Sequence, residues 1–284
     1  MEAKDTFFYR THLLNCNGKL LDISTPVVMG ILNLAADSFY DGGRFADRDK
    51  MIDHVGKMLE EGAAIIDIGG QSTRPGAGRV DEKTEASIVI PALQLLKNKF
   101  PGDVFSVDTF YSSVAEAAIK EGAAIVNDVS GGTMDTHMFE IVARYKVPYV
   151  LMHMQGTPET MQKNPTYKNV TNEVMDFLAQ KISVLHSSGV NDIIIDPGFG
   201  FGKTLEHNYS LLAHLELLKI FELPVLCGLS RKSMVGRLLN ISPNDALNGT
   251  TVLNTIALLK GANILRVHDV KEAVEAVKIV NSLH

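Results

Sequence analysis

The chain has 284 residues, 45% of them hydrophobic, and its 27 Lys and Arg against 33 Asp and Glu give a net charge of −6. This composition fills one large core, and it contains no basic cluster of the kind that binds nucleic acid or a membrane surface. The first residues carry charge too early for a signal peptide, and no run reaches the ~18 apolar residues of a membrane span. Because Cys16 and Cys227 are too few for a disulfide framework, we expect a cytoplasmic protein with two free thiols.

The first predicted element is a β-hairpin within residues 7–24. It turns at Asn17-Gly18, a pair that favours the left-handed conformations of a two-residue turn. Beyond it, apolar runs alternate with helix-length segments. We predict eight strands at residues 27–33, 64–70, 104–108, 124–128, 148–153, 192–197, 224–230 and 263–268.

Buried strands that alternate with helices about eight times are typical of a (β/α)8 TIM barrel, an α/β fold. The runs are apolar throughout, as strands covered on both faces are. Three similar segments, EGAAIIDIGG, EGAAIVNDVSGG and KGANILRVHDV, each place a glycine between a helix end and a strand start. We therefore predict one domain over residues 1–284, with the hairpin at 1–25 covering the floor of a barrel at 26–284.

Polar residues end the predicted strands, and chemistry on this fold gathers at the C-terminal ends of the strands. Asp108, Asn127 and Asp196 end the third, fourth and sixth runs, so we predict that they face one pocket. Three converging hydrogen-bonding groups suit a flat heterocycle, because a carboxylate accepts two adjacent N–H groups. Structural alternatives exist: Asp108 could cap the next helix, and Asp196 could stabilise the turn before Pro197.

The last two strands carry candidate anion-binding residues. Lys232 and Ser233 lie between the seventh strand and a helix, where free N–H groups can receive an anion. For Lys232 itself we expect a hydrogen-bonding role beside the carboxylates, with a Schiff-base lysine or an exposed cation at the helix start as the alternatives. Arg266 and His268 leave the eighth strand on one face, and with Asn33 they could bracket a diphosphate. A buried structural histidine is the alternative for His268.

Two long polar loops, NLAADSFYDGGRF and GGQSTRPGAGR, follow the first two strands and are typical of lids, although ordinary exposed turns are the alternative. The segment DPGFGFGKT resembles a phosphate loop, but only three residues separate Gly198 from Gly202, one fewer than that motif has. We interpret it as a loop whose backbone approaches a ligand, with Phe199 or Phe201 as an apolar wall. The sequence has no HExxH motif, which disfavours a hydrolytic metal site. Asn33 could still hold Mg²⁺ together with substrate phosphates.

Taken together, these motifs resemble those of the dihydropteroate synthases, in the pterin-binding barrel superfamily, over nearly the whole chain. The similarity rests on MGILNLAADSFYDGGRF, DIGGQSTRPGA, SVDT, VNDVSGG, LMHMQGTP, DPGFGFGKT, LSRKSMVG and LRVHDV. It implies condensation of 6-hydroxymethyl-7,8-dihydropterin diphosphate with p-aminobenzoate, which yields dihydropteroate and diphosphate in folate biosynthesis. It also implies Mg²⁺ as cofactor, sensitivity to sulfonamides, and a homodimer formed through the late helices.

The resemblance also implies a role for each matching residue. Pterin contacts are expected from Asp108, Asn127, Met152, Asp196, Phe201, Gly228 and Lys232. Diphosphate contacts are expected from Asn33, Arg74, Arg266 and His268, with Mg²⁺ at Asn33. The p-aminobenzoate ring is expected between Phe39, Thr73, Pro75 and Ser233. Catalytic roles are expected for Asp108, Lys232, Asp37 and Arg74, the last two by ordering the closed loops that exclude water.

The chain departs from the family pattern at two places. Leu34, Ala35 and Ala36 replace the usual Val-Thr-Pro of the first loop, and Gln71 stands where glutamate is common. Loss of the proline widens the open-loop ensemble, so that ordering this lid costs about 1 kcal/mol more. Two other functions remain open at this point. A methyltetrahydrofolate:corrinoid methyltransferase shares the barrel and the pterin pocket, and a pterin-binding paralogue without turnover would fit Ala35-Ala36.

Overall fold

A computed structural model describes residues 13–34, 45–71 and 79–283. The hairpin at its start comprises β1 (Leu13–Cys16) and β2 (Lys19–Asp22), which pair antiparallel. Asn17 and Gly18 between them have φ angles of 54° and 83°. This left-handed turn matches the twist of the two strands, as the sequence predicted.

Within the described residues, eight parallel strands form the central sheet, in the order β8-β7-β6-β5-β4-β3-β10-β9. A bridge between Ile195 and Val225 joins the two ends of this order and closes the barrel. The strands are β3 (Val27–Asn33), β4 (Ile65–Gly69), β5 (Val104–Asp108), β6 (Ile125–Asp128), β7 (Tyr149–Met152), β8 (Ile193–Asp196), β9 (Leu226–Cys227) and β10 (Ile264–Val267). The predicted (β/α)8 barrel is confirmed.

The seventh predicted strand, residues 224–230, is much shorter in the structure, where β9 covers two residues. Pro224 lacks an N–H to donate to a ladder. At the other end, the chain leaves the sheet after Cys227, and Ser230 contacts His268 beyond the end of β10. Pro224 therefore contributes only its carbonyl oxygen, which accepts the N–H of Ile195 over 2.9 Å, and Ser230 lies outside the strand ladder.

Helices cover the outside of the barrel. Those assigned among the described residues are α1 (Phe45–Glu60), α2 (Glu82–Lys99), α3 (Ser112–Lys120), α4 (Met138–Tyr145), α5 (Val170–Ser187), α6 (Leu205–Ala213), α7 (Ser233–Leu239), α8 (Leu247–Leu259) and α9 (Val270–Asn281). Local capping sets several boundaries: the Asp81 carboxylate accepts two N–H groups of the first turn of α2 over 3.1 Å. In the described part of the chain, no helix combines the length and apolarity that crossing a membrane requires.

The hydrophobic core has one large part between the sheet and the helices, and a smaller part at the barrel floor. At the floor, Leu14, Cys16 and Ile23 of the hairpin region pack against Met29 and Ile264, near the starts of their strands. The hairpin therefore covers the N-terminal end of the barrel, as expected. Both cysteines are free and buried.

Candidate active site

Polar side chains from five strands meet inside the barrel, at the end opposite the hairpin. The parallel register brings the strand ends side by side: Asp108 pairs with Gly69 on one neighbouring strand and with Asn127 on the other. Four of these side chains belong to residues that are at most 6% exposed, and the arginine side chain is 18% exposed. The group consists of Asp67, Asp108, Asn127, Asp196 and Arg266.

Arg266 reaches from β10 to two of the carboxylates. Its Nε donates to Asp67 Oδ2 and its Nη2 to Asp108 Oδ2, both over 2.6 Å. The same oxygen of Asp67 accepts Asn127 Nδ2 over 2.8 Å. Buried charges are costly unless they are paired, so this network fixes the orientation of Asp108. Burial raises the pKa of Asp108 to about 7, against the opposing effect of Arg266.

Asp196 ends β8 and faces the same space. Its Oδ1 accepts the N–H of Gly198 over 2.7 Å, which fixes the carboxylate at the start of the following loop. Burial raises the pKa of Asp196, whereas Gly198, Lys232 and Arg266 act in the opposite direction. A carboxylate held by one oxygen keeps the lone pairs of the other for the N–H groups of a ligand.

Lys232 is presented by the segment between β9 and α7. The preceding Arg231 has a left-handed φ of 53°, and its guanidinium donates to both oxygens of Asp269 over 2.9 and 2.7 Å. With the segment anchored in this way, Lys232 Nζ lies 4.2 Å from the centre of the Phe201 ring, a cation–π contact. Burial lowers the pKa of Lys232 to about 8. Ser233, which begins α7, is exposed.

Apolar side chains lie beside the polar group. Met152 ends β7 and pairs in register with Asp196. A Cβ on Gly228 would meet no heavy atom within 4 Å, so this residue borders open space. Polar groups beside apolar side chains suit a flat ring with hydrogen-bonding edges. The apolar cluster consists of Phe110, Val129, Met152, Met154, Met161 and Phe201.

His268 lies beyond the end of β10 and is held by Ser230. The Ser230 Oγ accepts the backbone N–H of His268 over 3.2 Å and lies 3.0 Å from its Nδ1. The Ser230 hydroxyl thus holds both the backbone and the ring of His268, and Nε2 is the ring nitrogen that this contact leaves for a ligand. Desolvation and the charge of Arg266 lower the pKa of His268 to about 4, even though part of the residue is exposed. The ring is therefore a neutral hydrogen-bonding group at the rim.

The structure separates two residues that the sequence placed together on an anion. His268 lies at the rim, whereas the guanidinium of Arg266 lies deeper, on Asp67 and Asp108. Asn33 is half-buried at the end of β3, in register with Gly69. The remaining predicted residues lie outside the described part of the chain: Asp37, Phe39, Thr73, Arg74 and Pro75.

Two charged residues of this region were missed by sequence reasoning. Asp67 is fully buried in β4, and its Oδ1 has no hydrogen-bond partner among the residues that the structure describes. The available signal was a carboxylate inside the apolar run AIIDIGG, which has no structural reason to be charged. Lys203 is 2% exposed after β8. Its position at the end of a glycine-rich segment was noted only as part of an imperfect phosphate loop.

The two departures from the family pattern have different structural settings. Leu34 is buried in the main core, and its N–H donates to Gly69 O over 2.9 Å. Gln71 joins the two ends of the second long loop: its Nε2 donates to Val80 O over 2.8 Å, and its Oε1 accepts Val80 N–H over 3.0 Å. The same amide donates to the buried carboxylate of Glu85. A glutamate at position 71 would place a second carboxyl group against Glu85.

Comparisons with known proteins agree over the whole barrel. Residues 29–268 match the family model described as pterin binding enzyme. The chain is 44% identical to dihydropteroate synthase of Escherichia coli (strain K12), over 95% of each chain. It superposes on Yersinia pestis dihydropteroate synthase in complex with a sulfonamide drug with a TM-score of 0.89, at 45% identity over 95% of this chain and 98% of that one. For Xanthomonas albilineans dihydropteroate synthase with 4-aminobenzoic acid, the TM-score is 0.88, at 39% identity over 96% and 98%.

Proposed function

This chain belongs to the pterin binding enzyme family, among its dihydropteroate synthases, and we propose that the barrel pocket carries out their reaction. The pocket joins 6-hydroxymethyl-7,8-dihydropterin diphosphate to p-aminobenzoate and releases 7,8-dihydropteroate and diphosphate, a transferase step of folate biosynthesis. One observation carries this assignment to the site: the buried carboxylates of Asp108 and Asp196 lie with Asn127 at the C-terminal end of the barrel. The similarity over 95% of the chain favours the synthase over a corrinoid methyltransferase.

The pterin ring fits between the polar edge and the apolar wall. The aminopyrimidine edge presents adjacent N–H groups, which a carboxylate accepts in pairs, and we assign this contact to Asp196. Asn127 Nδ2 is held by Asp67, so its amide has one fixed orientation toward the ligand. Met152 and Phe201 contact the faces of the ring, Gly228 leaves room for it, and Lys232 donates to its polar atoms.

The diphosphate lies toward the rim in this proposal. His268 supplies its Nε2–H as a neutral donor. We assign Asn33, at the end of β3, and Arg74, which lies outside the described residues, to the same diphosphate. The guanidinium of Arg266 donates to Asp67 and Asp108 and lies deeper in the pocket. It therefore contributes positive charge to the diphosphate site rather than a direct hydrogen bond. This arrangement favours departure of an anion without requiring a change in protonation of the protein.

We propose that Mg²⁺ binds at this site together with the diphosphate. Mg²⁺ is commonly bound by one or two protein oxygens, several waters and substrate phosphates. Among the described residues, no cluster of three or more His, Cys, Asp or Glu is placed to enclose a metal ion, and Asn33 offers an amide oxygen at the end of β3. When bound there, Mg²⁺ would neutralise charge on the leaving diphosphate.

The chemistry follows from fixed negative charge beside the reacting carbon. The bond between the exocyclic methylene and the diphosphate oxygen breaks, and the electron pair leaves with the diphosphate. Positive charge spreads from the methylene into the dihydropterin, where the oriented carboxylate of Asp108 stabilises it. The aniline nitrogen of p-aminobenzoate then forms the new C–N bond and releases a proton. We propose that Phe39, Thr73, Pro75 and Ser233 hold this second substrate, and that Asp37 and Arg74 help to exclude water.

We further propose that the whole chain, residues 1–284, is one domain and that it forms a homodimer through its late helices. Apolar side chains on α7, α8 and α9 are at least half exposed, among them Leu238, Val252, Leu259 and Ile279. We place the interface on these helices because α8 and α9 pack side by side and carry several of these side chains. Light scattering at several protein concentrations measures the oligomeric state.

Two free cysteines are consistent with the reducing cytoplasm.

Turnover is the direct test of the function. Purified protein is supplied with dihydropterin diphosphate and p-aminobenzoate, with and without Mg²⁺, and the formation of dihydropteroate and diphosphate is followed. We expect both products in equal amounts and a strong dependence on Mg²⁺. Pterin binding without any product would instead identify a paralogue that binds pterin but does not turn over.

A further inference from the structure

Lys203 is a buried lysine whose side chain joins two loops of the barrel. Its Nζ donates to Gly198 O over 2.9 Å and to Phe201 O over 3.1 Å. It also lies 3.0 Å from Nδ1 and 3.4 Å from the carbonyl oxygen of His153. An ammonium group has three protons to donate, so these contacts use all of them. The loop after β8 is thereby tied to the residue that follows β7.

The partner histidine is in the state that this contact requires. Desolvation and the charge of Lys203 lower the pKa of His153 to about 3. The ring is therefore neutral at neutral pH, and its Nδ1 accepts a hydrogen bond from the ammonium while Nε2 carries the ring hydrogen. Burial lowers the pKa of Lys203 to about 7, and the charge of Asp196 opposes that shift. The four acceptor atoms around Nζ favour the protonated form.

The same contacts reach the pterin pocket through one peptide segment. Gly198 donates its N–H to the Asp196 carboxylate and gives its carbonyl oxygen to Lys203. This segment packs closely against the chain after β7, since a Cβ on Gly198 would lie 1.9 Å from the carbonyl oxygen of His153. Phe201, whose carbonyl is also bound by Lys203, places its ring under Lys232. Asp196 and Phe201 are therefore both held by the one ammonium.

We propose that Lys203 is a positioning residue of the pterin site, which fixes the Asp196 carboxylate and the Phe201 ring and keeps Asp196 ionised. This inference rests on the proposed function of that pocket. The glycine-rich segment is thus not a phosphate loop, because the lysine is occupied by backbone carbonyls rather than offered to a ligand. The charged and titratable groups that face Lys203 are His153, Asp196 and Lys232, and Lys203 is one of the cations that lower the pKa of Asp196.

The test compares Lys203→Met with Lys97→Met. Methionine keeps an unbranched stem and removes the charge and all donors. Lys97 is a matched control, since its Nζ also donates to two backbone carbonyls, those of Pro101 and Asp103, over 3.3 Å each. It lies where α2 ends, before the start of β5, on the floor side of the barrel. Dihydropterin binding is measured by calorimetry across a pH series, and KM for p-aminobenzoate is measured at saturating dihydropterin diphosphate.

We expect Lys203→Met to weaken pterin binding at least about tenfold at neutral pH. KM for p-aminobenzoate should change by less than about twofold, because the second substrate does not use this segment. The sign of the pH effect follows from the charge removed. Loss of the ammonium raises the pKa of Asp196, so the variant should lose pterin binding on the acid side at a higher pH than the wild type. Lys97→Met should bind pterin like the wild type at every pH.

Wild-type pterin affinity in Lys203→Met would overturn the proposal. Weaker binding with an unchanged acid side of the pH profile would also overturn it, since loss of a merely structural lysine would not shift the pH at which pterin binding is lost. If Lys203→Met does not fold, Lys203→Gln provides the same test, because its amide keeps donors but carries no charge. This variant must also lose pterin binding on the acid side at a higher pH than the wild type, and an unchanged pH overturns the proposal. The wild type is assayed for turnover in parallel. Absence of turnover there contradicts the proposed function, whereas the result on pterin binding still decides the role of Lys203.

Discussion

The floor and the top of this barrel are built from the same eight strands, but they hold side chains of opposite character. At the floor, Ile23 and Leu14 pack against Met29 and Ile264 with no charged group among them. At the top, Asp67, Asp108, Asn127, Asp196 and Arg266 are buried together.

This difference separates what stabilises the fold from what the fold is used for. Burial of apolar surface at the floor is favourable in itself. The buried ion pairs at the top gain little net stability, because desolvation cancels much of their attraction. A buried charged network at the end of the barrel where chemistry occurs is therefore best explained by ligand binding. Substitutions at the two ends should consequently separate stability from substrate binding.

The largest effect is expected from Arg266→Ala, which leaves Asp67 and Asp108 buried without their cation. Removing one partner of a buried ion pair costs roughly 3–5 kcal/mol of unfolding free energy. Burial already raises the pKa of Asp108 and Arg266 opposes that shift, so without Arg266 the pKa rises further. The variant should be least unstable at low pH and lose stability as the pH rises. Urea denaturation at several pH values measures this. A variant equally stable at all pH values would contradict the network as described.

At the floor, Ile23→Ala should cost about 2–4 kcal/mol through lost apolar burial and the cavity that remains. Ile23 is fully buried beneath the barrel, and no polar residue of the pocket depends on it. Pterin affinity, measured by calorimetry below the unfolding temperature, should equal that of the wild type. A parallel loss of pterin affinity would show that the two ends are not independent.

A smaller and selective effect is expected from His268→Ala at the rim. Loss of one neutral hydrogen bond should weaken binding of dihydropterin diphosphate by about 1–2 kcal/mol and leave unphosphorylated dihydropterin unaffected. Because the pKa of His268 is lowered to about 4 in the free protein, its ring is neutral at pH 8, and the two ligands are compared at that pH. Equal losses for the two ligands would remove His268 from the diphosphate site.

Much of the barrel could be predicted because its strands are buried on both faces. Such strands appear as continuous apolar runs, so β3 and β5 have the predicted bounds, and the Asn17-Gly18 turn identifies the hairpin. The polar ends of β5, β6 and β8 were predicted to converge because parallel strands end at one edge. The shortening of β9 was not predictable, since it depends on which neighbours complete the ladder.

Pairings inside the pocket were beyond the reach of local patterns. Arg266 and Asp67 lie 199 positions apart in the chain, and nothing in either segment specifies the partner. The same is true of Lys203 and His153, which are 50 positions apart. Two-residue spacing predicted that Arg266 and His268 leave β10 on one face, but it carried no information about how deep in the pocket each side chain lies. How far each side chain reaches depends on the strands across the barrel, which only the folded structure brings together.

The most direct test of the difference between the two ends compares two aspartates at opposite ends of β8. Asp192 precedes β8 at the floor, where its carboxylate accepts the backbone N–H of Asn15 over 3.0 Å, and Asp196 ends the same strand at the top. Calorimetric titration of dihydropterin into Asp196→Asn should show a loss of about 2 kcal/mol or more, because an amide offers one donor and one acceptor where the ligand needs two acceptors. Asp192→Asn should bind dihydropterin with wild-type affinity. Unchanged affinity in Asp196→Asn, or equal losses in both variants, would contradict the assignment of the pterin pocket.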